Sequence, residues 1–467
     1  MLPALLLRLG LCIPKSCSSA DIVTVFDTLS PFPLTACNMF CVKRSEQPLG
    51  VMFWIFSVFM VFMIFVAALA TLMDNYFVDS EEKGTRFRVL CCFSLITNFK
   101  LICTPRKEIM GVHLKGIDFL RFVSVVWVVL GHSPINYLIS DNMKTIIDSR
   151  LYFWNHLMLD GTYAVETFVL ITGTLLSFAL FKNSNVSNTI HSKPFWLKVF
   201  VRRYYRLMPS LFAFICFSTF YGPFLRGSTL ASIYNSHEQF AERCRSKWWM
   251  NMFLIQNLWG PSENCFPVSW YSAFDFQMIL LSPFIIIPLM RSQNHGLQSA
   301  SLLTFISIFL TFLTFWCHNL PPVHYVTHGM EDFLVNAHQQ TFPRIPTFIL
   351  GILLGRSLAL HKTPIKILKD RSGLGDPLTS LMSSRIWQPF GRLTYCIYII
   401  HWWIIYVVLN FSDRPLHYTS MMQVIMQVTI PTVVLTLPVA LIWSSLFEVP
   451  VTRLEKLFLN HGTSSMQ

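Results

Sequence analysis

The sequence predicts an all-α fold, a polytopic transmembrane helical bundle of about nine spans. Hydrophobic residues make up 53% of the 467 residues and charged residues only 13%, about half the ~25% that is usual for soluble domains. The segment 50–72, GVMFWIFSVFMVFMIFVAALATL, contains no charged residue. It is long enough to cross the ~30 Å hydrocarbon core of a bilayer as a helix.

Similar apolar segments recur along the whole chain, as expected for a membrane protein that crosses the bilayer many times. The seventh is the shortest of them. The predicted spans are 50–72, 117–138, 162–181, 207–224, 272–290, 300–317, 346–360, 393–411 and 422–447.

Lysine and arginine set the predicted orientation, because they are enriched on cytoplasmic loops. Three basic loops, 73–115, 182–206 and 361–392, fall on the same side of the membrane if the spans alternate in direction. We take that side as cytoplasmic, which places the N-terminus outside and the C-terminus inside. The net charge of +12 then reflects anionic headgroups rather than a nucleic-acid partner.

The predicted organisation follows from these spans. An extracellular or lumenal segment, 1–49, precedes the first transmembrane helix, 50–72. A cytoplasmic loop, 73–115, leads to the main transmembrane domain, 116–456, and a cytoplasmic tail, 457–467, follows.

The twelve cysteines agree with this orientation. Cys244 and Cys265 flank the predicted outside loop between the fourth and fifth spans, where disulfides form. We expect these two residues to be bonded, the alternative being two free thiols. No cysteine or histidine spacing indicates a zinc or other metal site.

An arginine and a histidine lie eleven residues apart in the second span, at Arg121 and His132. At ~100° per residue, eleven steps are three turns plus ~20°, so both residues share one helix face, ~16 Å apart. Asp118 lies on nearly the same face, one turn before Arg121. One interpretation is structural: Arg121 snorkels to the membrane surface or pairs with Asp118, and His132 is interfacial. The other is that this face lines a polar site.

Further ionisable residues lie in or beside other predicted spans, where such groups usually face the protein interior. Several separate spans contribute them, which favours one shared polar site over unrelated structural pairs. They are Glu166, Arg202, Arg203, Arg206, Asp275, Arg344 and His401.

Ordered motifs around these residues resemble acyltransferase family 3, the membrane acyltransferases. GIDFLRFVSVVWVVLGHS resembles the first core helix of that family, VETF resembles its V-D-T-F stretch, and RRYYRLMP is similar to its arginine-rich signature. LCIPKSC, WYSAFDFQ, GRLTYCIYIIH and FEVPVTRLEK resemble motifs of the branch named for nose resistant to fluoxetine proteins.

The resemblance covers residues 12–456 and implies where the chain departs from the pattern of that branch. Segment 1–49 would be the remnant of a cysteine-rich domain, and two internal spans would be missing between 356 and 391. Glu166 stands where the family favours aspartate, and Trp402 follows His401 where proline is common.

The resemblance implies transfer of an acyl group from acyl-CoA to a hydroxyl acceptor. His132 is then the expected general base, since imidazole titrates near neutral pH, with Glu166 or Asp275 close to its ring. Arginine suits the phosphates of CoA. The sequence has no Gly-x-Ser-x-Gly elbow, which favours direct transfer over a serine acyl-enzyme. The expected acyl-CoA-binding residues are Arg121, Arg203 and Arg206, and the other residues of the site are Asp118, Arg344 and His401.

Two alternatives remain open at this stage: a carrier for lipids or hydrophobic small molecules, and a non-catalytic family member. The expected partners are acyl-CoA as co-substrate, a lipid or other hydroxyl acceptor and the membrane itself, with no further cofactor. The expected location is the plasma membrane or an endomembrane.

The predicted orientation can be tested with epitope tags at positions 85, 190 and 370, one in each basic loop. All three should bind antibody only after the membrane has been permeabilised, because the loops are cytoplasmic. Labelling of any one of these tags in intact cells would contradict the orientation.

Overall fold

The computed structural model describes most of the chain from residue 49 onward, and the described residues form α-helices with short 3₁₀ and π segments and no β-strand. Four cysteines of the predicted outside segment 1–49, namely Cys12, Cys17, Cys37 and Cys41, lie outside the described residues. The described residues are 49–76, 84–105, 116–149, 152–183, 189–224, 236–260, 263–320, 330–360, 375–409 and 416–464, preceded only by Asp21 and Thr24.

The α-helices are numbered here in chain order. They are α1 (Val51–Tyr76), α2 (Thr85–Cys91), α3 (Leu95–Cys103), α4 (Gly116–His132), α5 (Met143–Ser149), α6 (Phe153–Leu159), α7 (Thr162–Lys182), α8 (Lys193–Tyr221), α9 (Ser236–Met252), α10 (Trp270–Leu281), α11 (Pro283–Arg291), α12 (Gln293–Cys317), α13 (Met330–Phe333), α14 (Ile345–Leu360), α15 (Gly375–Met382), α16 (Trp387–Leu409), α17 (Met421–Val424), α18 (Ile430–Trp443) and α19 (Val449–Ser464).

Within the described residues, eight helical stretches are long and apolar enough to cross a membrane. They confirm the all-α polytopic fold and correspond to every predicted span except the fourth. These stretches are Val51–Tyr76, Gly116–Tyr137, Thr162–Lys182, Trp270–Arg291, Gln293–Cys317, Phe342–Leu360, Trp387–Leu409 and Met421–Phe458.

The fourth predicted span, 207–224, falls on α8, which begins earlier, at Lys193. Arginines in the first half of α8 make it more polar than the eight apolar stretches. At 1.5 Å per residue, its 29 residues are nevertheless long enough to span a bilayer. Its second half is buried against other helices, with Leu211 and Phe214 in the core.

The directions of neighbouring helices indicate that α8 does cross the bundle. α7 and α14 run parallel, since Glu166 contacts Arg344 near their N-terminal ends and the Ser177 hydroxyl donates to the carbonyl of Ile352 further along. Successive spans alternate in direction, so parallel spans need an odd number of crossings between them. The two stretches Trp270–Arg291 and Gln293–Cys317 supply only two, and α8 supplies the third.

Glycines bring α7 and α14 into backbone contact. A Cβ at Gly351 would lie 3.1 Å from the amide nitrogen of Thr174 and closer still to the carbonyl of Leu170. Gly355, one turn on, meets the same turn of α7. Small residues four apart are typical of close helix packing in membranes, where dispersion contacts replace the hydrophobic effect.

The disulfide predicted from the outside loop is present. Cys244, on α9, is bonded to Cys265, with the two Cα atoms 4.4 Å apart. The bond joins the middle of α9 to the segment just before the 3₁₀ turn Pro267–Ser269, which precedes α10.

The Gly351→Ala substitution tests the close packing of α7 and α14. The added methyl group should clash with the backbone of α7 and destabilise the protein by about 1–3 kcal/mol, as overpacking does. Gly50→Ala is the matched control, because nothing lies within 4 Å of a Cβ at that position. A thermal midpoint measured in detergent should fall for Gly351→Ala alone; equal midpoints for both variants would contradict the contact.

Candidate active site

His132 is the last residue of α4, and the chain after it explains why. Pro134 has no amide hydrogen to donate to a helical carbonyl, and a 3₁₀ turn, Pro134–Ile139, follows. The histidine side chain is half-buried and turned towards α16.

The imidazole of His132 forms a pair with the imidazole of His401. Nδ1 of His132 lies 2.9 Å from Nε2 of His401, and the two ring planes are 8° apart. His401 is fully buried in α16, where its Nδ1 lies 2.6 Å from the carbonyl oxygen of Tyr398. The ring centre of Trp402 lies 5.0 Å from that of His132, with the two planes 85° apart.

The two carboxylates that were expected beside His132 have other partners. Nε of Arg344 lies 2.9 Å from Oε1 of Glu166, an ion pair in which the Nε hydrogen does not point at the carboxylate. Asp275 is paired with Arg203. A charged carboxylate in a low-dielectric bundle is stabilised far more by a guanidinium than by a neutral imidazole. The ring of His132 therefore finds a histidine as its partner.

Arg203 and Asp275 form a two-contact ion pair between α8 and α10. Nε of Arg203 lies 2.6 Å from Oδ2 of Asp275, and Nη2 contacts Oδ1. The hydroxyl of Thr172, on α7, adds a weaker contact of 3.4 Å to Oδ1. Asp275 is almost completely buried, so the pair ties three helices together.

Arg121 lies at the same end of the site as the Arg203–Asp275 pair. Arg206, Asp118 and Arg203 are all within electrostatic range of its guanidinium. The side chain of Arg206 is exposed, whereas Arg121 is half-buried. At the N-terminal end of α4, Asp118 packs tightly against α16. A Cβ added at Gly391 would lie 2.6 Å from the Cβ of Asp118.

Arg344 is buried in a cage of aromatic rings and carbonyl groups. Its guanidinium lies 5.3 Å from the ring centre of Trp270 and 5.7 Å from that of Phe274, and Nη1 donates to the carbonyl of Gln340 at 3.3 Å. Cation–π contacts of this kind are strongest where the cation is desolvated. Together with Glu166, these contacts account for the charge of Arg344 without a ligand.

Two tyrosines that sequence reasoning missed connect the arginines with the histidines. Tyr271 lies within electrostatic range of Arg121 and Arg203, and its ring centre is 5.0 Å from that of Tyr398. The Tyr398 ring is in turn 5.7 Å from that of His401. Tyr398 precedes His401 by three residues, a spacing that places both on one helix face. This spacing in the sequence would have been enough to identify Tyr398 as a neighbour of His401.

Comparison with known proteins identifies the family to which the chain belongs. The family model described as an acyltransferase domain, that of acyltransferase family 3, matches residues 114–368, which is more than half of the chain. The protein belongs to this acyltransferase family. The match includes His132 and all the arginines of the site, whereas His401 lies beyond its end.

Two curated relatives from Caenorhabditis elegans are similar to the chain. Nose resistant to fluoxetine protein 6 is 21% identical over 97% of this chain and 67% of its own length. Regulator of hypoxia-inducible factor 1 is 22% identical over 57% of this chain and 55% of its own length. The chain thus spans about two thirds of the first relative and just over half of the second. No solved structure matches the chain.

A double-mutant cycle tests the Arg203–Asp275 pair. Asp275→Leu alone should lower the free energy of unfolding by about 3–5 kcal/mol, because it leaves a buried guanidinium unpaired. Arg203→Met together with Asp275→Leu should recover most of that loss. Thermal midpoints of the wild type, both single variants and the double variant measure the coupling. A double variant no more stable than Asp275→Leu would contradict a direct pair.

Proposed function

We propose that this integral, multi-pass membrane protein is an O-acyltransferase that moves an acyl group from acyl-CoA to a hydroxyl acceptor, with His132 as general base. The observation that carries the proposal is the imidazole pair of His132 and His401, placed among charged residues in an acyltransferase-family bundle. The expected acceptor is a lipid or another hydroxyl compound, and the expected location is the plasma membrane or an endomembrane.

The proposed reaction is a single displacement. His132 takes the proton of the acceptor hydroxyl while the oxygen attacks the thioester carbonyl carbon. The carbon–sulfur bond then breaks, and the resulting imidazolium gives its proton to the departing CoA thiolate. One ester bond forms, one thioester bond breaks, and the base is regenerated, so no further cofactor is needed.

The arginines supply the proposed binding site for the CoA phosphates. The side chain of Arg206 is exposed and that of Arg121 is half-buried, so both can be reached by a phosphate, with the buried Arg203–Asp275 pair as their support. CoA carries its thioester at the end of a long, flexible arm. A separation of ~16 Å along α4 between Arg121 and His132 suits a ligand whose charged end and reacting end lie far apart.

The substitution His132→Ala should lower the rate of acyl transfer by a factor of about 10² to 10⁴, the range that a general base contributes. Arg121→Ala should instead raise KM for acyl-CoA by about tenfold, since it removes a charged contact and leaves the base. The rate and KM of both variants are measured with purified protein in detergent or liposomes. The assay follows the free thiol released from acyl-CoA in the presence of candidate hydroxyl acceptors.

The matched control is His417→Ala, which removes an exposed histidine whose Nδ1 lies 2.8 Å from Oδ1 of Asp141 and which lies outside the site. It should leave the rate and KM unchanged. Retention of full activity by His132→Ala would refute the proposed base. Acyl-CoA-independent movement of a labelled lipid across liposomes, without thiol release, would instead favour a carrier.

A further inference from the structure

We infer that His401 is a positioning residue, which fixes the tautomer of His132 so that its Nε2 is the unprotonated atom that accepts the substrate proton. This inference rests on the proposed function but concerns a different residue. It follows from two hydrogen bonds: one within α16, between His401 and the carbonyl of Tyr398, and one between α16 and α4, between His401 and His132.

The first hydrogen bond fixes the proton on His401. Its Nδ1 lies 2.6 Å from the carbonyl oxygen of Tyr398. A carbonyl oxygen can only accept, so Nδ1 of His401 must carry a hydrogen. In the neutral ring the other nitrogen, Nε2, then has a free lone pair and can only accept.

The second hydrogen bond determines which ring nitrogen of His132 carries the hydrogen. Its Nδ1 lies 2.9 Å from Nε2 of His401. Since Nε2 accepts, Nδ1 of His132 must donate, and the hydrogen of the neutral ring is on Nδ1. The lone pair of His132 is therefore on Nε2, the nitrogen away from His401. Without this partner an imidazole exchanges freely between two tautomers.

The surroundings of His401 keep it neutral. The ring has no exposed surface, and the aliphatic side chains of Ile397, Ile400 and Ile404 are buried on the same helix. An ionised group in such a place is unfavourable unless an opposite charge compensates it. The carboxylates of the site are paired with arginines, Glu166 with Arg344 and Asp275 with Arg203.

His401 thus takes the position that an aspartate holds in a serine-protease triad, but without its charge. When His132 gains the substrate proton, its Nδ1–H still points at the lone pair of His401. That hydrogen bond becomes charge-assisted and therefore stronger. The Trp402 indole, with its ring centre 5.0 Å from that of His132 and its plane nearly perpendicular, packs against the His132 ring and restricts its rotation.

Two substitutions separate the acceptor role from mere packing. His401→Phe keeps a planar ring of similar size but removes the acceptor, and should lower kcat about 100-fold, within the range known for groups that orient a catalytic histidine. His401→Gln places an amide oxygen near the former Nε2 and should bring kcat back to within about tenfold of the wild type. KM for acyl-CoA should stay within about twofold in both, and His417→Phe should change neither constant.

The tautomer itself is measured without reference to activity. Protein labelled with ¹⁵N in its histidine rings, with His132→Gln used for assignment, should show His132 hydrogenated on Nδ1 and bare on Nε2. In His401→Phe both nitrogens should shift towards an average of the two tautomers. A hydrogen on Nε2 of wild-type His132, or a kcat unaffected by His401→Phe, would overturn the inference. The absence of acyl transfer in wild-type protein that shows the Nδ1 hydrogen would refute the proposed function but leave the tautomer assignment intact.

Discussion

Lipid offers no partner to a charged side chain, and this constraint determines how the central helices are arranged. Arg203 of α8 and Asp275 of α10 pair with each other, as do Glu166 of α7 and Arg344 beside α14. Each pair joins helices that are distant in sequence. Because an unpaired charge inside the bundle is so unfavourable, these contacts select one arrangement of helices from the many that apolar packing alone would permit.

The charged pairs hold because the helices approach closely, and glycine makes that approach possible. The contact of Gly351 with Thr174 and Leu170 draws α7 and α14 together, so that Glu166 and Arg344 reach one another across the same interface. At the N-terminal end of α4, Gly391 gives Asp118 room against α16 in a similar way. The pair of His132 and His401 lies further along the interface of α4 and α16, and it therefore depends on how these two helices pack.

Most of the fold could be predicted from the sequence, because the length of an apolar segment depends on local composition. Eight predicted spans correspond to helices long and apolar enough to cross a membrane, and the disulfide of Cys244 is present. Partners within the site could not be predicted. Helical periodicity gives the face on which His132 lies, but not which of several helices that face meets. Glu166 and Asp275 were therefore placed with the histidine, whereas the structure pairs both with arginines.

The polarity of α8 has a consequence for how the protein is made. Arg203 is synthesised 72 residues before its partner Asp275 and lies four residues before the apolar segment 207–224. Near the end of a membrane span, the long side chain of an arginine can reach the headgroups, which lowers the cost of inserting the helix before a partner is available. The ion pair between α8 and α10 can form only after α10 has been made, so the contact that joins these two helices belongs to a later step in assembly than the synthesis of α8 itself.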